Sequence, residues 1–269
     1  MRRRWVIAAV VLGCVVGLAV FIVEATGGGD KGSSGAPSTR GGRAGSAQGS
    51  VASQSGGLPT CAMPGSSAAR GGWGLIATTK GAVSGYASPG GPQDSTIPSS
   101  WYGGASALPV IAQQPAWLEV RLATRPNGST AWVRSADVTI TATPYWLSVD
   151  LANRHVSLFR LDHQIMSAPA GVGSGQDPTP TGQYFVAFFE ASPSAGYGPF
   201  ILVTSAHSTT IANWESSGDA VIGIHGPLGA DSLLGTTGAY LSHGCIRLPI
   251  ADLVKLRDVP AGSPISICS

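Results

Sequence analysis

The chain has 269 residues, of which 43% are hydrophobic and only 11% are charged. Basic and acidic residues number 16 and 14, and this near balance excludes the strongly basic surface by which proteins bind nucleic acid. Glycine and proline, with 38 and 19 residues, favour turn-rich β structure and flexible linker over a helical bundle. The length and the apolar fraction are sufficient for one or two folded domains.

The N-terminal segment has the pattern of a membrane anchor. Residues 5–23 are uncharged and apolar, and they follow three consecutive arginines at positions 2–4. The run approaches the roughly 20 residues that span a bilayer, and the arginines predict a cytoplasmic N-terminus. We therefore expect residues 1–26 to be a cytoplasmic tip and a transmembrane segment, with the rest of the chain extracytoplasmic. A cleaved signal peptide, which would release the protein to the cell wall, is the alternative. Lipidation of Cys14 is disfavoured because the apolar run continues beyond it.

Residues 27–59 predict a linker. They are rich in glycine and serine and contain no aromatic residue. Such a segment cannot bury enough apolar surface to offset the entropy lost on ordering. We expect a disordered tether between the anchor and the folded part of the chain.

Residues 60–143 predict a small β domain. The two residues Asn127 and Gly128 separate two alternating segments and indicate a hairpin turn. The Trp-Val-Arg sequence at 132–134 lies in a module that resembles a bacterial SH3-like barrel, and an immunoglobulin-like sandwich would explain the strands nearly as well. The strands are predicted at 74–80, 82–88, 107–113, 117–124 and 130–139.

Residues 144–269 predict a second domain of mixed β structure. Alternating segments at 146–151 and 155–161 flank a turn and indicate another hairpin. The one predicted helix covers 249–259, with Pro249 at its start and apolar residues at helical spacing. Cys245 should therefore lie just before a short helix. Further strands are predicted at 164–173, 178–190, 199–206 and 220–226.

Cys245 is the residue whose chemistry most needs an explanation. A thiol with a pKa of about 8.5 is a poor nucleophile unless a base or a helix N-terminus favours the thiolate. His225 and His243 precede it in the chain, and Gly244 permits a sharp turn that aims N–H groups at a developing oxyanion, which is worth roughly 3–4 kcal/mol. Acyl transfer fits this pattern. There are two alternatives. Cys245 is a buried structural residue, or it binds a metal together with the two histidines and a fourth ligand.

The motif Ser-His-Gly-Cys-Ile-Arg-Leu at 242–248 follows Ile-His-Gly at 224–226 and Pro-Thr-Pro-Thr-Gly-Gln-Tyr at 178–184. With the leading hairpin, this pattern resembles the YkuD-type L,D-transpeptidase family of bacterial cell-wall enzymes over residues 145–269. The resemblance implies that Cys245 is the nucleophile and that His225 is the base. The remaining implied roles are orientation of the base by the carbonyl of Gly226, support from Ser242 and His243, and an oxyanion hole from the N–H groups of Gly244 and Cys245.

The resemblance also implies the reaction. The thiol attacks the third residue of a peptidoglycan tetrapeptide stem, D-alanine leaves, and a side-chain amine of a neighbouring stem accepts the acyl group in a 3→3 cross-link. Water as acceptor would make the same site an L,D-carboxypeptidase, and a vestigial site would leave a wall-binding module. No metal or organic cofactor is implied, the partners are donor and acceptor stem peptides, and carbapenems should acylate the thiol. We expect a monomer.

The remaining candidates surround this motif. Arg247 is predicted to meet a substrate carboxylate bidentately. Tyr197, in a small flexible segment, and Trp214 are predicted to cover and wall the bound peptide. His207 is interpreted as a local hydrogen-bonding residue. Cys61 and Cys268 open and close the folded part, and a disulfide between them would leave Cys245 free.

Overall fold

The computed structural model describes residues 61–68, 70–101, 103–214 and 217–269. The anchor predicted over 1–26 and the linker predicted over 27–59 lie outside these ranges. Within the described ranges, no helix has the length and the hydropathy to cross a bilayer.

The first half of the described chain forms a seven-stranded antiparallel sheet in the order β3-β2-β8-β7-β6-β1-β9. A small pair of strands, β4 and β5, stands beside it. All five segments predicted as strands contribute to the sheet, and the SH3-like character of this half stays a prediction. The strands are β1 (Gly74–Thr79), β2 (Val83–Tyr86), β3 (Gln93–Ile97), β4 (Ser100–Trp101), β5 (Gly104–Ala105), β6 (Ala107–Gln114), β7 (Trp117–Arg121), β8 (Thr130–Arg134) and β9 (Val138–Thr143).

The second half forms an eight-stranded mixed sheet in the order β12-β11-β10-β19-β14-β15-β16-β18, with β13 and β17 paired separately. Two pairs within this sheet, β10 with β19 and β16 with β18, are parallel. The strands are β10 (Tyr145–Asp150), β11 (His155–Arg160), β12 (His163–Pro169), β13 (Val172–Gly173), β14 (Gly182–Ala191), β15 (Phe200–His207), β16 (Val221–His225), β17 (Tyr240–Ser242), β18 (Ile246–Arg247) and β19 (Pro264–Cys268). The described chain is mainly β, as predicted.

Helical structure is limited to short turns. The predicted helix over 249–259 is shorter than expected, because one α-helical turn, α2, passes directly into a 3-10 turn. The residue before Pro260 disfavours the helical region, and tightening into 3-10 geometry is common at helix ends. The helical segments are α1 (Gly65–Ala68), α2 (Ile250–Leu253) and 3-10 turns at Ser135–Asp137, Ala195–Tyr197, Asp231–Leu233 and Val254–Leu256.

Each sheet has an apolar core, and one residue links the two. Phe185 of β14 is buried among the side chains of the first sheet. The core of the second sheet includes Ile222 and Ile224 of β16 and Ile246 of β18, which fix the two strands that lead to and from the site. Burial of such side chains contributes about 1.5–3 kcal/mol each.

A disulfide joins Cys61 to Cys268, with their Cα atoms 5.8 Å apart. Cys61 precedes the first sheet, and Cys268 is the last residue of β19. Cys245 is not in a disulfide and is buried.

Candidate active site

Cys245 lies between β17 and β18, beside the strand that ends at His225. Strands β16 and β18 are parallel, and their register places His225 opposite Arg247. Gly223 lies two positions before His225, and Cys245 lies two positions before Arg247. The Gly223 N–H points at Cys245 Sγ, with the nitrogen 3.5 Å from the sulfur. Since residues two apart on a strand share a face, the thiol and the imidazole belong to one face of neighbouring strands.

The environment of His225 fixes which ring nitrogen carries the proton. The side chain is fully buried, and Nδ1 lies 2.8 Å from the carbonyl oxygen of Gly226. Because a carbonyl only accepts hydrogen bonds, Nδ1 donates and the neutral ring has its lone pair at Nε2. Nε2 has no hydrogen-bond partner among the described residues. His225 is therefore oriented by one nitrogen, and its other nitrogen is able to accept a proton.

Gly226 has no room for a side chain. A Cβ atom there would lie 2.7 Å from the carbonyl oxygen of Gly196 and 2.8 Å from the carbonyl carbon of Tyr197. This close approach lets the Gly226 N–H donate to the Tyr197 carbonyl at 2.7 Å. The requirement for glycine at 226 thus comes from the backbone of Gly196 and Tyr197, which packs against it. The same contact fixes the position of Gly226, whose carbonyl group orients His225.

Tyr197 differs from the sequence-based expectation. It was predicted to cover a bound peptide from a flexible segment, yet it is 6% exposed. Its ring centroid lies 4.8 Å from that of His225, with the planes inclined by 47°. Tyr197 therefore packs against the imidazole at the end of a 3-10 turn.

Two hydroxyl groups fix the loop before the thiol. Ser242 Oγ donates to the carbonyl oxygen of Cys245 at 2.5 Å and accepts from the Gly244 N–H at 3.1 Å. Thr179 Oγ1 donates to the carbonyl oxygen of Gly244 at 2.7 Å and accepts from the Gly173 N–H at 2.9 Å. Gly244 itself has φ of +116°, a conformation that strongly favours glycine.

These bonds revise one predicted role and add one residue. The Gly244 N–H, predicted to point into an oxyanion hole, is directed to Ser242 Oγ because the tight turn brings the hydroxyl under it. Thr179 lies in the motif at 178–184, which by itself assigns this residue no separate role. A buried hydroxyl among prolines was the available signal, but its partner lies 65 residues away in the sequence, beyond what local patterns indicate.

His243 and Trp214 form the exposed edge of the site. The His243 side chain is 50% exposed, and its Nε2 lies 4.0 Å from Asp177 Oδ2. Its ring centroid lies 4.9 Å from that of Trp214. Asp177 also accepts a hydrogen bond from Thr210 Oγ1 at 2.8 Å. The structure thus brings His243 and Trp214 together, and Asp177 is a further acidic neighbour that the sequence analysis did not single out.

Arg247 is buried, with 8% of its surface exposed. Its backbone pairs in both directions with Gly171, at 2.8 and 2.9 Å. Its side-chain Nε has no hydrogen-bond partner among the described residues. To make the predicted contact with Arg247, a substrate carboxylate would therefore have to reach a buried side chain.

No cluster of three or more His, Cys, Asp or Glu side chains suited to a metal ion occurs in the described part of the chain. The site contains a buried, oriented imidazole at the end of β16 and a buried thiol directly before the neighbouring strand β18. A thiol near an imidazole that can accept its proton is the pair of groups that covalent catalysis by a cysteine requires.

A family model matches the C-terminal part of the chain. Residues 144–267 match YkuD, the L,D-transpeptidase catalytic domain. The chain is 28% identical over 125 residues to the putative L,D-transpeptidase YkuD of Bacillus licheniformis. That match covers 46% of this chain and 66% of the relative, slightly less than two thirds of the relative's length.

Solved structures of similar proteins include an L,D-transpeptidase from Mycobacterium smegmatis. It is 16% identical with a TM-score of 0.38, over 57% of this chain and 91% of that one. L,D-transpeptidase 3 from Mycobacterium tuberculosis, in complex with a faropenem-derived adduct, is 16% identical with a TM-score of 0.39, over 54% of this chain and 76% of that one.

Proposed function

We propose that the protein is a peptidoglycan L,D-transpeptidase that forms 3→3 cross-links through a thioester on Cys245. The match of residues 144–267 to the L,D-transpeptidase catalytic domain supports the reaction class. The observation that carries the proposal is the state of His225, which is oriented through Nδ1 by Gly226 and has an unpartnered Nε2 on the strand beside Cys245.

In the first half-reaction, His225 Nε2 takes the thiol proton of Cys245. The thiolate attacks the carbonyl carbon of the third stem residue, the L-centre of diaminopimelate. The Gly223 N–H, 3.5 Å from the sulfur, favours the thiolate because hydrogen bonds to a charged acceptor are stronger. When the tetrahedral intermediate collapses, the carbon–nitrogen bond breaks, the imidazolium protonates the departing amine of D-alanine, and the acyl group stays on the sulfur.

The oxyanion of the intermediate needs a donor. Because Ser242 Oγ already accepts from the Gly244 N–H, we assign the oxyanion contact to the Cys245 N–H. The Gly244 N–H joins it only if it leaves the serine.

In the second half-reaction, the side-chain amine of a neighbouring stem attacks the thioester. His225 takes a proton from that amine, the carbon–sulfur bond breaks, and the thiolate is regenerated. If water attacks instead, the product is a shortened stem and the protein is an L,D-carboxypeptidase.

We place the folded part outside the cytoplasm, tethered to the membrane by residues 5–23. The disulfide between Cys61 and Cys268 supports this placement, because structural disulfides persist in oxidising compartments.

The test is mass spectrometry of the purified protein incubated with a disaccharide-tetrapeptide, beside the Cys245→Ser variant. Dimers that lack one D-alanine, absent in the variant, are the expected result. Monomers that lack D-alanine would show a carboxypeptidase. Unchanged peptide that the protein still retains would favour a wall-binding module, and turnover by Cys245→Ser would refute the assignment of the nucleophile.

A further inference from the structure

The loop between β7 and β8 of the first sheet reaches into the second half of the chain. Arg125, in this loop, uses all three nitrogens of its guanidinium group. Nε donates to Asp219 Oδ1 at 2.9 Å, Nη1 to the carbonyl oxygen of Ser208 at 2.8 Å, and Nη2 to the carbonyl oxygen of Ile211 at 2.9 Å. One side chain therefore contacts both ends of the segment that runs from 208 to 219.

Asn127, two residues further along the loop, extends this contact. Its amide nitrogen donates to the carbonyl oxygen of His207 at 2.7 Å, and its Oδ1 accepts from the His207 N–H at 2.9 Å. The side chain thus pairs with the end of β15 as a neighbouring strand would. Arg125 and Asn127 together fix the position at which the segment 208–219 leaves the sheet.

Asp219 connects Arg125 to two further residues, His207 and Trp214. Its carboxylate accepts from His207 Nδ1 at 2.9 Å, in addition to Arg125, and from the Ala220 N–H at 2.7 Å. The His207 side chain is 3% exposed. The backbone carbonyl of Asp219 accepts from the Trp214 N–H at 2.9 Å. The residue held by Arg125 therefore also holds the backbone of Trp214.

Trp214 leads from this network to the site. Its ring contacts that of His243, two residues before Cys245. A continuous series of contacts thus runs from Arg125 through Asp219 and Trp214 to His243.

We propose that Arg125 is a positioning residue for the active site, through which the first sheet fixes the Trp214–His243 wall beside Cys245. The proposal rests on the function proposed above and gives the first sheet a part in it. Arginine suits the role because its planar guanidinium places several donors in fixed directions, whereas a lysine ammonium is a point charge. Because His243 is half-exposed and lies two residues before the thiol, the position of this wall should affect substrate binding more than thiol chemistry.

The first test compares Arg125→Ala with Arg134→Ala in the full-length protein. Arg134 lies on β8 of the same hairpin and packs over the rings of Tyr86 and Trp117 instead. We expect kcat/KM for cross-linking to fall about tenfold or more in Arg125→Ala, mainly through KM, because small misplacements of positioning groups have effects of this size. Alkylation of Cys245 by iodoacetamide should keep its wild-type rate, and Arg134→Ala should resemble the wild type in both measurements.

The second test does not need activity. The ring of Trp214 should shift the NMR signals of the His243 ring protons, which can be assigned among five histidines with His243→Gln. We expect that shift to disappear in Trp214→Leu and Arg125→Ala, to remain in Arg134→Ala, and to return to Arg125→Ala on addition of millimolar guanidinium. If Arg125→Ala does not fold by circular dichroism, Arg125→Gln, which is shorter but keeps a polar amide and loses the guanidinium group and its charge, takes its place.

An unchanged His243 signal and an unchanged KM in the Arg125 variant would overturn the proposal. So would equal losses in the Arg125 and Arg134 variants, which would indicate general destabilisation. If the wild type forms no cross-links but Arg125→Ala still loses the His243 shift, the proposed function fails while the positioning contact stands.

Discussion

Replacing Thr179 by valine should separate the loop before the thiol from its support. The substitution keeps the shape of the side chain but removes the hydroxyl between the Gly173 N–H and the Gly244 carbonyl. Thr179 is 4% exposed, so water does not readily replace the lost partner. A buried polar group left unpaired costs about 1–3 kcal/mol, and the two groups together predict a loss of about 2–6 kcal/mol in the free energy of unfolding.

Two assays measure the consequence. A loss of this size should lower Tm by about 4–24 °C, since each kcal/mol corresponds to about 2–4 °C for a folded region of roughly 200 residues. Mass spectrometry should show acylation of Cys245 by a carbapenem about tenfold or more slower, because Gly244 directly precedes the nucleophile. Thr179→Ser, which keeps the hydroxyl, is the matched control. If the valine variant is as stable and as reactive as the serine variant, the hydroxyl does not hold the loop.

Three further predictions concern the nucleophile, a partly buried carboxyl group and the disulfide. Cys245→Ser should abolish acyl transfer with an unchanged circular dichroism spectrum, and His225→Ala should reduce it nearly as far; a fully active His225→Ala would exclude that base. Burial raises the pKa of Glu190. The stability associated with the protonated carboxyl group is therefore present below its unfolded pKa and is lost as pH rises through the folded pKa. Glu190→Gln should raise Tm at pH 7, this gain should shrink towards pH 4, and thermal unfolding at both pH values measures the difference. Replacing both Cys61 and Cys268 by serine should lower the free energy of unfolding by about 2–5 kcal/mol in denaturant titrations, and an unchanged midpoint would mean that the bond does not form in solution.

Local patterns in the sequence were sufficient for most of the strands. The alternation of apolar residues at 146–151 and 155–161 predicts the hairpin that the structure has as β10 and β11. The parallel pairing of β16 with β18 could not be derived in this way, because it joins segments that no short turn connects. Strand pairing over such distances depends on the tertiary core, which alternation alone does not specify.

In the candidate site, too, the local sequence indicates some features and distant contacts determine the others. The motif around Cys245 indicated the residues, but their orientations depend on distant partners. Tyr197 was expected to cover a bound peptide from a flexible segment and is buried against His225, because the backbone of its segment meets Gly226, a residue without a side chain. The contacts of Arg125 with 208–219 span more than 80 residues of sequence, and no periodicity reveals them.

The disulfide between Cys61 and Cys268 also determines how the protein responds to cutting and to force. It closes almost the entire described chain into a covalent ring, so that one proteolytic cut between the two cysteines would release neither sheet. Tension applied upstream of Cys61 would pass through the bond to β19, which lies between β10 and β14 in the second sheet. The force would thus act on β19, an interior strand that is paired on both sides. The strands of the first sheet would not be separated one after another from the N-terminal end.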